Sequence, residues 1–288
     1  MYQHQGRRRS VSTALLPAVA VTAVLTACAS GDAEPAASTA LPSDHVHAVA
    51  VNPGDDHVYL ATHEGLFDLG GARPERVGPV IDLMGFTVAG PDHFYASGHP
   101  GPGTDLPQPV GLLESTDGGL TWTPLSRGGE SDFHALTAST SGVAGFDGAV
   151  RTSADGVTWG APPPPPAAPF DLAASPGGAA LLATTEEGLL RSDDVGATWS
   201  AVEGTPLLLL VEWADTQTAV GVTPEGAIVV SDDGAKTWEQ VGDIGTSPQA
   251  LGVQRAASGD LRVLVVTGSA VLESLDGGTT FTPLAAGS

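Results

Sequence analysis

The sequence predicts an all-β fold, a six-bladed β-propeller of four-stranded antiparallel blades, and three observations predict it. A short motif ending in Thr-Trp or Thr-Phe recurs five times at nearly constant spacing. Short apolar runs, alternating or continuous, are separated by Gly, Pro and Asp, which is the pattern of strands joined by tight turns. The chain of 288 residues holds 38 Gly and 23 Pro with only 5% aromatic residues, a composition suited to many turns and one sizeable core.

Residues 1–28 stand apart from that pattern. Arg7, Arg8 and Arg9 precede an apolar run from Val11 to Leu25, and the run is too short and wrongly flanked for a membrane span, so it reads as a secretory signal over residues 1–27. Cys28 is the single cysteine, which excludes a disulfide within the chain. Residues 28–43 then form a flexible tether rich in Ala, Ser and Pro, without periodicity. The propeller is expected over residues 44–288. The net charge of −22 becomes about −25 once the three arginines of the signal are removed, because 8 basic residues then face 33 acidic ones. Such a surface repels nucleic acid and anionic lipid headgroups, so neither is an expected partner. The expected state is a monomer.

Each blade is legible in turn. Blade one has His47-Ala48-Val49-Ala50-Val51, then residues 57–62 and 65–67, with a Gly70-Gly71 turn. Blade two begins Met84-Gly85-Phe86-Thr87-Val88 and ends in Ser115-Thr116-Asp117-Gly118-Gly119-Leu120-Thr121-Trp122. Blade three begins at His134, blade four at Phe170, blade five near Leu208 and blade six at Ala250. The later motif copies start at Ser153, Ser192, Ser231 and Ser274, so the serines stand 38, 39, 39 and 43 residues apart, the length of one blade. In each copy Gly supplies the positive φ of a tight turn, while the Ser and Asp side chains accept or donate hydrogen bonds that the turn leaves open. The copy at Ser153 is one residue short, and the copy at Ser231 has Ala235 at a glycine position. Blades one and six are each complete, so ring closure is expected from blade-to-blade packing and not from an exchanged strand. Two segments depart from the repeat: a five-proline spacer at 162–166, and a proline-rich loop at 98–111.

These five turns resemble the Asp-box, or BNR, repeat of sialidases and other propellers. The resemblance implies that they are structural and lie on the face away from the ligand site. Leu25-Thr26-Ala27-Cys28 resembles a bacterial lipobox, which implies lipidation of Cys28 and an extracytoplasmic protein held to the cell membrane by that lipid. Residues 45–53, 61–67 and 85–94 resemble a group of bacterial propeller lipoproteins labelled glycosyl hydrolases, a similarity spanning about residues 44–284. Sialidases of this fold use three arginines on the substrate carboxylate. Here Arg73, Arg76, Arg127, Arg151, Arg191, Arg255 and Arg262 supply no three at equivalent inner-strand starts, which argues against that activity.

The histidines carry the specific signal. Seven of eight lie between His45 and His134. His47, Met84 and His134 occupy equivalent starts of the inner strands of blades one to three. His63 and His99 follow the second strands of blades one and two, and His45, two residues before His47, points the same way. His45, His47, His63, Met84, His99 and His134 are therefore expected on one face, whereas His57 and His93 fall at the opposite ends of their strands. Imidazoles with a thioether suit copper, and imidazoles alone suit zinc; binding should weaken below roughly pH 6 as the imidazoles protonate. A glycosidase needs two carboxylates instead, for which Glu64, Asp82, Asp105 and Asp132 are the candidates on that face. A noncatalytic envelope scaffold is the third reading. The ligand is accordingly a metal, a glycan or another small molecule, or a protein surface.

Overall fold

The computed structural model describes residues 1–3, 6, 41–43, 45–256 and 258–284. The chain divides into two units, residues 1–36 and 37–288. Cys28, and most of the signal and tether, lie outside the described residues.

Six antiparallel sheets, each built from consecutive strands, form the six blades, and there is no helix among the described residues. Blade one comprises Val46–Val51, Val58–Thr62, Gly65–Asp68 and Glu75–Val77. Blade two comprises Ile81–Gly90, His93–Pro100, Leu112–Ser115 and Thr123–Ser126. Blade three has Ala135–Ser139, Gly142–Phe146 and Val150–Ser153, followed in blade four by Pro169–Ala174, Leu181–Thr185, Gly188–Ser192 and Ser200–Ala201. Blade five is Leu210–Trp213, Ala219–Val222, Ala227–Ser231 and Glu239–Asp243; blade six is Pro248–Arg255, Leu261–Thr267, Val271–Ser274 and Thr282–Pro283.

Blade three is the exception to the four-strand rule. Its outer strand shrinks to a single bridge between Thr152 and Gly160. In blade four the corresponding ladder continues past Arg191–Ser200 to a hydrogen bond from Val202 N to Leu189 O. The residue at that place in blade three is Pro162, which has no N–H to donate, so the proline run ends the strand.

The recurrent turns are built as their residue types require. Ser115 Oγ donates to Asp117 Oδ1 at 2.8 Å and accepts from Gly119 N at 2.8 Å, while Asp117 accepts from Thr121 N at 2.9 Å and Thr121 Oγ1 at 2.6 Å. The copies at Ser192, Ser231 and Ser274 repeat these contacts. The short copy keeps Ser153 and Thr158 N on Asp155. Those donors hold the aspartates well below the usual carboxylate range; for Asp155 the backbone N–H groups of Thr158 and Val157 contribute most and bring it to about 2. Ala235 adopts a left-handed φ of 63°, in the region where Gly119, Gly196 and Gly278 of the other copies lie at 87–90°, and it is fully buried. The aromatic residue after each turn packs between blades: Trp159 stacks on Phe133 with centroids 4.9 Å apart.

Closure uses no exchanged strand among the described residues; it rests on packing, with one ion pair across the seam between Arg262 and Asp56. Val46, Val49, Val51, Val58 and Leu60 of blade one share one apolar cluster with Ala250, Leu264, Val266 and Val271 of blade six. The two inner strands approach so closely that a Cβ on Gly252 would lie 2.5 Å from the carbonyl oxygen of Val49. Gly252→Ala must therefore push backbone aside at the closing seam, and overpacking of this kind costs roughly 1–3 kcal/mol. Urea unfolding should show that loss in the midpoint; an unchanged midpoint would mean that the seam is loose.

Candidate functional site

One local rule positions most of the site. Near the start of four of the six inner strands one residue bulges out of the ladder: His47 between Val46 and Ala48, Met84 between Leu83 and Gly85, Phe170 between Pro169 and Asp171, Gln249 between Pro248 and Ala250. A bulge re-aims the side chain it carries. His134 holds the same place in blade three, one residue before the first paired residue, Ala135. The residue before each bulge is buried (Val46, Leu83 and Phe133), so its two neighbours in sequence project together at the rim. The triplets read His45-Val46-His47, Asp82-Leu83-Met84 and Asp132-Phe133-His134 in blades one to three. In blades four to six they read Ala168-Pro169-Phe170, Leu207-Leu208-Leu209 and Ser247-Pro248-Gln249. Imidazole, carboxylate and thioether side chains thus occupy half of the ring.

Two further histidines come from the second strands. His63 sits in the two-residue turn of blade one, where Thr62 Oγ1 donates to Gly65 O at 2.9 Å. His99 holds the equivalent register in blade two, but there both strands run on, and His99 pairs directly across from Asp82.

The side chains form one continuous array. His47 Nε2 lies 3.3 Å from His63 Nε2. Behind it, His63 Nδ1 lies 2.7 Å from Asp82 Oδ1, and the other oxygen of Asp82 lies 3.2 Å from His99 Nδ1. His99 Nε2 and His134 Nε2 then converge on Asp132 Oδ2, at 3.2 and 2.9 Å. His45 meets the edge of His63 with ring centroids 5.4 Å apart. His47, His63 and Asp82 can each offer a donor atom within 4.8 Å of the other two. Burial first, and then the neighbouring His63, lower the His47 pKa, which favours the neutral imidazole that a metal requires.

Met84 lines the central cavity with His47 and His134. His57 pairs with Asp68 and His93 with Glu114, both away from the array. Of the four candidate carboxylates, Asp82 and Asp132 are joined to histidines, while Glu64 and Asp105 are exposed on loops. The arginines do not gather: Arg127 and Arg151 pair with Asp147, Arg191 with Asp193, Arg255 with Asp215 and Arg262 with Glu273.

The structure adds a carboxyl pair that the sequence reading passed over. Asp171 and Glu212 line a central cavity of about 390 Å³, a volume in the range of small-molecule sites. Asp171 accepts from the backbone N–H groups of Leu172 and Val211, at 2.9 and 3.0 Å. Glu212 accepts from Trp213 N at 3.2 Å. Desolvation raises Asp171 to about 6; desolvation together with the charge of Asp171 raises Glu212 to about 8. The signal that finds Asp171 is its register, since Ala48, Gly85, Ala135 and Ala250 stand at the same place in four other blades.

No protein-family model and no curated protein matches this chain. Solved structures do. YCF48 bound to a D1 peptide superposes with a TM-score of 0.53 at 21% identity, over 88% of this chain and 85% of that one. The extracellular domain of BT4673 from B. thetaiotaomicron gives 0.54 at 11%, over 85% and 34%. An ancestral GH74 enzyme gives 0.54 at 17%, over 81% and 40%. The likeness is one of fold: all three are β-propellers.

The raised carboxyls make stability depend on pH with a definite sign. Because the folded state holds these protons more tightly than the unfolded chain, whose carboxyls titrate near 4, stability falls as pH rises from about 4 to about 8. Glu212→Gln should therefore raise the melting temperature at pH 8.5 and change it little at pH 5. Equal shifts at both pH values would show that Glu212 ionises normally.

Proposed function

We propose that this propeller is a lipid-anchored, extracytoplasmic metal-binding protein that holds a divalent transition metal between His47 and His63. The observation that carries the reading is the 3.3 Å separation of the two Nε2 atoms. Two imidazole nitrogens on one tetrahedral zinc, each about 2.0–2.1 Å from the ion, lie about 3.3 Å apart. The 2.7 Å contact of His63 Nδ1 with Asp82 supports the same reading, because an Nδ1–H donated to a carboxylate fixes the tautomer that presents Nε2 to a metal. His45 stands beside His63 as a third imidazole, and the open side faces solvent. Imidazoles backed by a carboxylate favour zinc; Met84 on the same rim keeps copper as the alternative.

The lipid anchor rests on the signal-like residues 1–27 and the lipobox-like residues ending at Cys28. An extracytoplasmic location is in keeping with the extracellular BT4673 domain among the fold neighbours. The five Ser-Asp turns support membership of the Asp-box group. Glycoside hydrolysis is the second reading, favoured by Asp171 and Glu212 at the central cavity, with Glu212 raised into the range of a general acid.

Calorimetric titration of the full chain with zinc and with copper tests the first reading. One ion should bind at the His47–His63 pair, and His47→Ala should weaken it roughly 100-fold or more, since even outer-shell changes cost 10–100-fold. Absence of binding by either metal would sink the reading, and hydrolysis of a chromogenic glycoside that Glu212→Gln abolishes would replace it. Cell fractionation tests the anchor: the protein should sediment with membranes, and Cys28→Ser should release it. Release of the unaltered protein would remove the lipid from the account.

A further inference from the structure

We propose a second metal site, formed by His99 Nε2, Asp132 and His134 Nε2 and taking a divalent ion of the same class, zinc first. It extends the reading of the His47–His63 site and shares with it only Asp82.

The symmetry of Asp82 is the starting point. One of its oxygens lies 2.7 Å from Nδ1 of His63, and the other lies 3.2 Å from Nδ1 of His99. Both imidazoles are therefore held by the same ring atom, Nδ1, and turn the other, Nε2, to the side away from Asp82. For His63 that atom meets His47. For His99 it meets Asp132, with Nε2 3.2 Å from Oδ2. His134 Nε2 reaches the same oxygen at 2.9 Å. Ligands of a common tetrahedral ion lie about 3.3 Å apart; each imidazole already meets that spacing to Asp132, but the two do not meet it to each other, so the exposed His134 must swing toward His99 to admit an ion.

Asp132 supplies an independent sign. Its second oxygen, Oδ1, is buried and has no hydrogen-bond partner among the described residues. An uncompensated buried carboxylate oxygen is unfavourable, and native proteins pair such atoms with a donor or a cation. Two imidazoles and a carboxylate form a donor set of the open zinc type. The His134 side chain is 60% exposed, which leaves the remaining coordination position toward solvent and makes His134 replaceable without disturbing the core.

Native mass spectrometry of the full chain carrying Cys28→Ser, titrated with zinc chloride, counts the sites without interference from the thiol. Two ions per chain are expected. His134→Ala, and separately Asp132→Asn, should each leave one ion, and His47→Ala with His63→Ala should leave the other. Asp82→Asn should weaken both by about 10–100-fold, as loss of a shared orienting carboxylate does. A single ion that vanishes with His47→Ala and His63→Ala overturns the second site while the first stands. A single ion that vanishes only with His134→Ala keeps the second site and removes the first. No bound ion overturns both.

Discussion

Crowding at the propeller axis is the constraint on which the rest of this structure depends. Six inner strands must approach one another around a narrow cavity, so the residues that face it are small: Ala48, Gly85, Ala135 and Ala250 share one register, and Gly252 nearly touches Val49 of the adjoining blade. Because closure uses no exchanged strand, the seam between blades one and six rests on this fit, on one apolar cluster and on the Arg262–Asp56 ion pair. Four of the six inner strands carry a bulge near their start. Each bulge turns one side chain out of the axis and onto the rim, where the six blades present a ring of equivalent positions.

What fills that ring is not symmetrical. Blades one to three carry imidazoles and carboxylates there; blades four to six carry Phe170, leucines and Gln249. Asp82 ties the first half together, because a carboxylate has two oxygens and can orient two imidazoles at once. The residues between which a metal would sit are thus coupled through one side chain on the extended strand of blade two. The cavity obeys a different logic. Asp171 and Glu212 place charge where the repeat elsewhere places small neutral residues, and both respond by holding their protons to higher pH. A departure from the local rule that weakens the folded state is the kind of feature that function retains.

The face was legible in the sequence because repeats align. Once Ser115 and its copies set the period, His47, Met84 and His134 fell into one register, as did His63 and His99, and the structure keeps those registers. The failure of blade three to complete its fourth strand was also present in the sequence, in Pro162, but only the ladder shows which N–H that proline lacks. Asp171 was visible as an acid within an apolar strand and was passed over, since a single charged residue in a short run does not reveal that its side chain enters a cavity.

The sequence by itself determined the blade count, the turns, the lack of an arginine triad and the side of the propeller on which the histidines gather, because period and alternation are local properties. Only the tertiary structure decided how those histidines are shared out. Asp82 lies 19 residues from His63 and Asp132 lies 33 residues from His99, each partner belonging to the neighbouring blade. No spacing rule announces such contacts, since they arise from the rotation that sets one blade beside the next. That rotation makes two imidazole pairs of what the sequence presents as a single cluster.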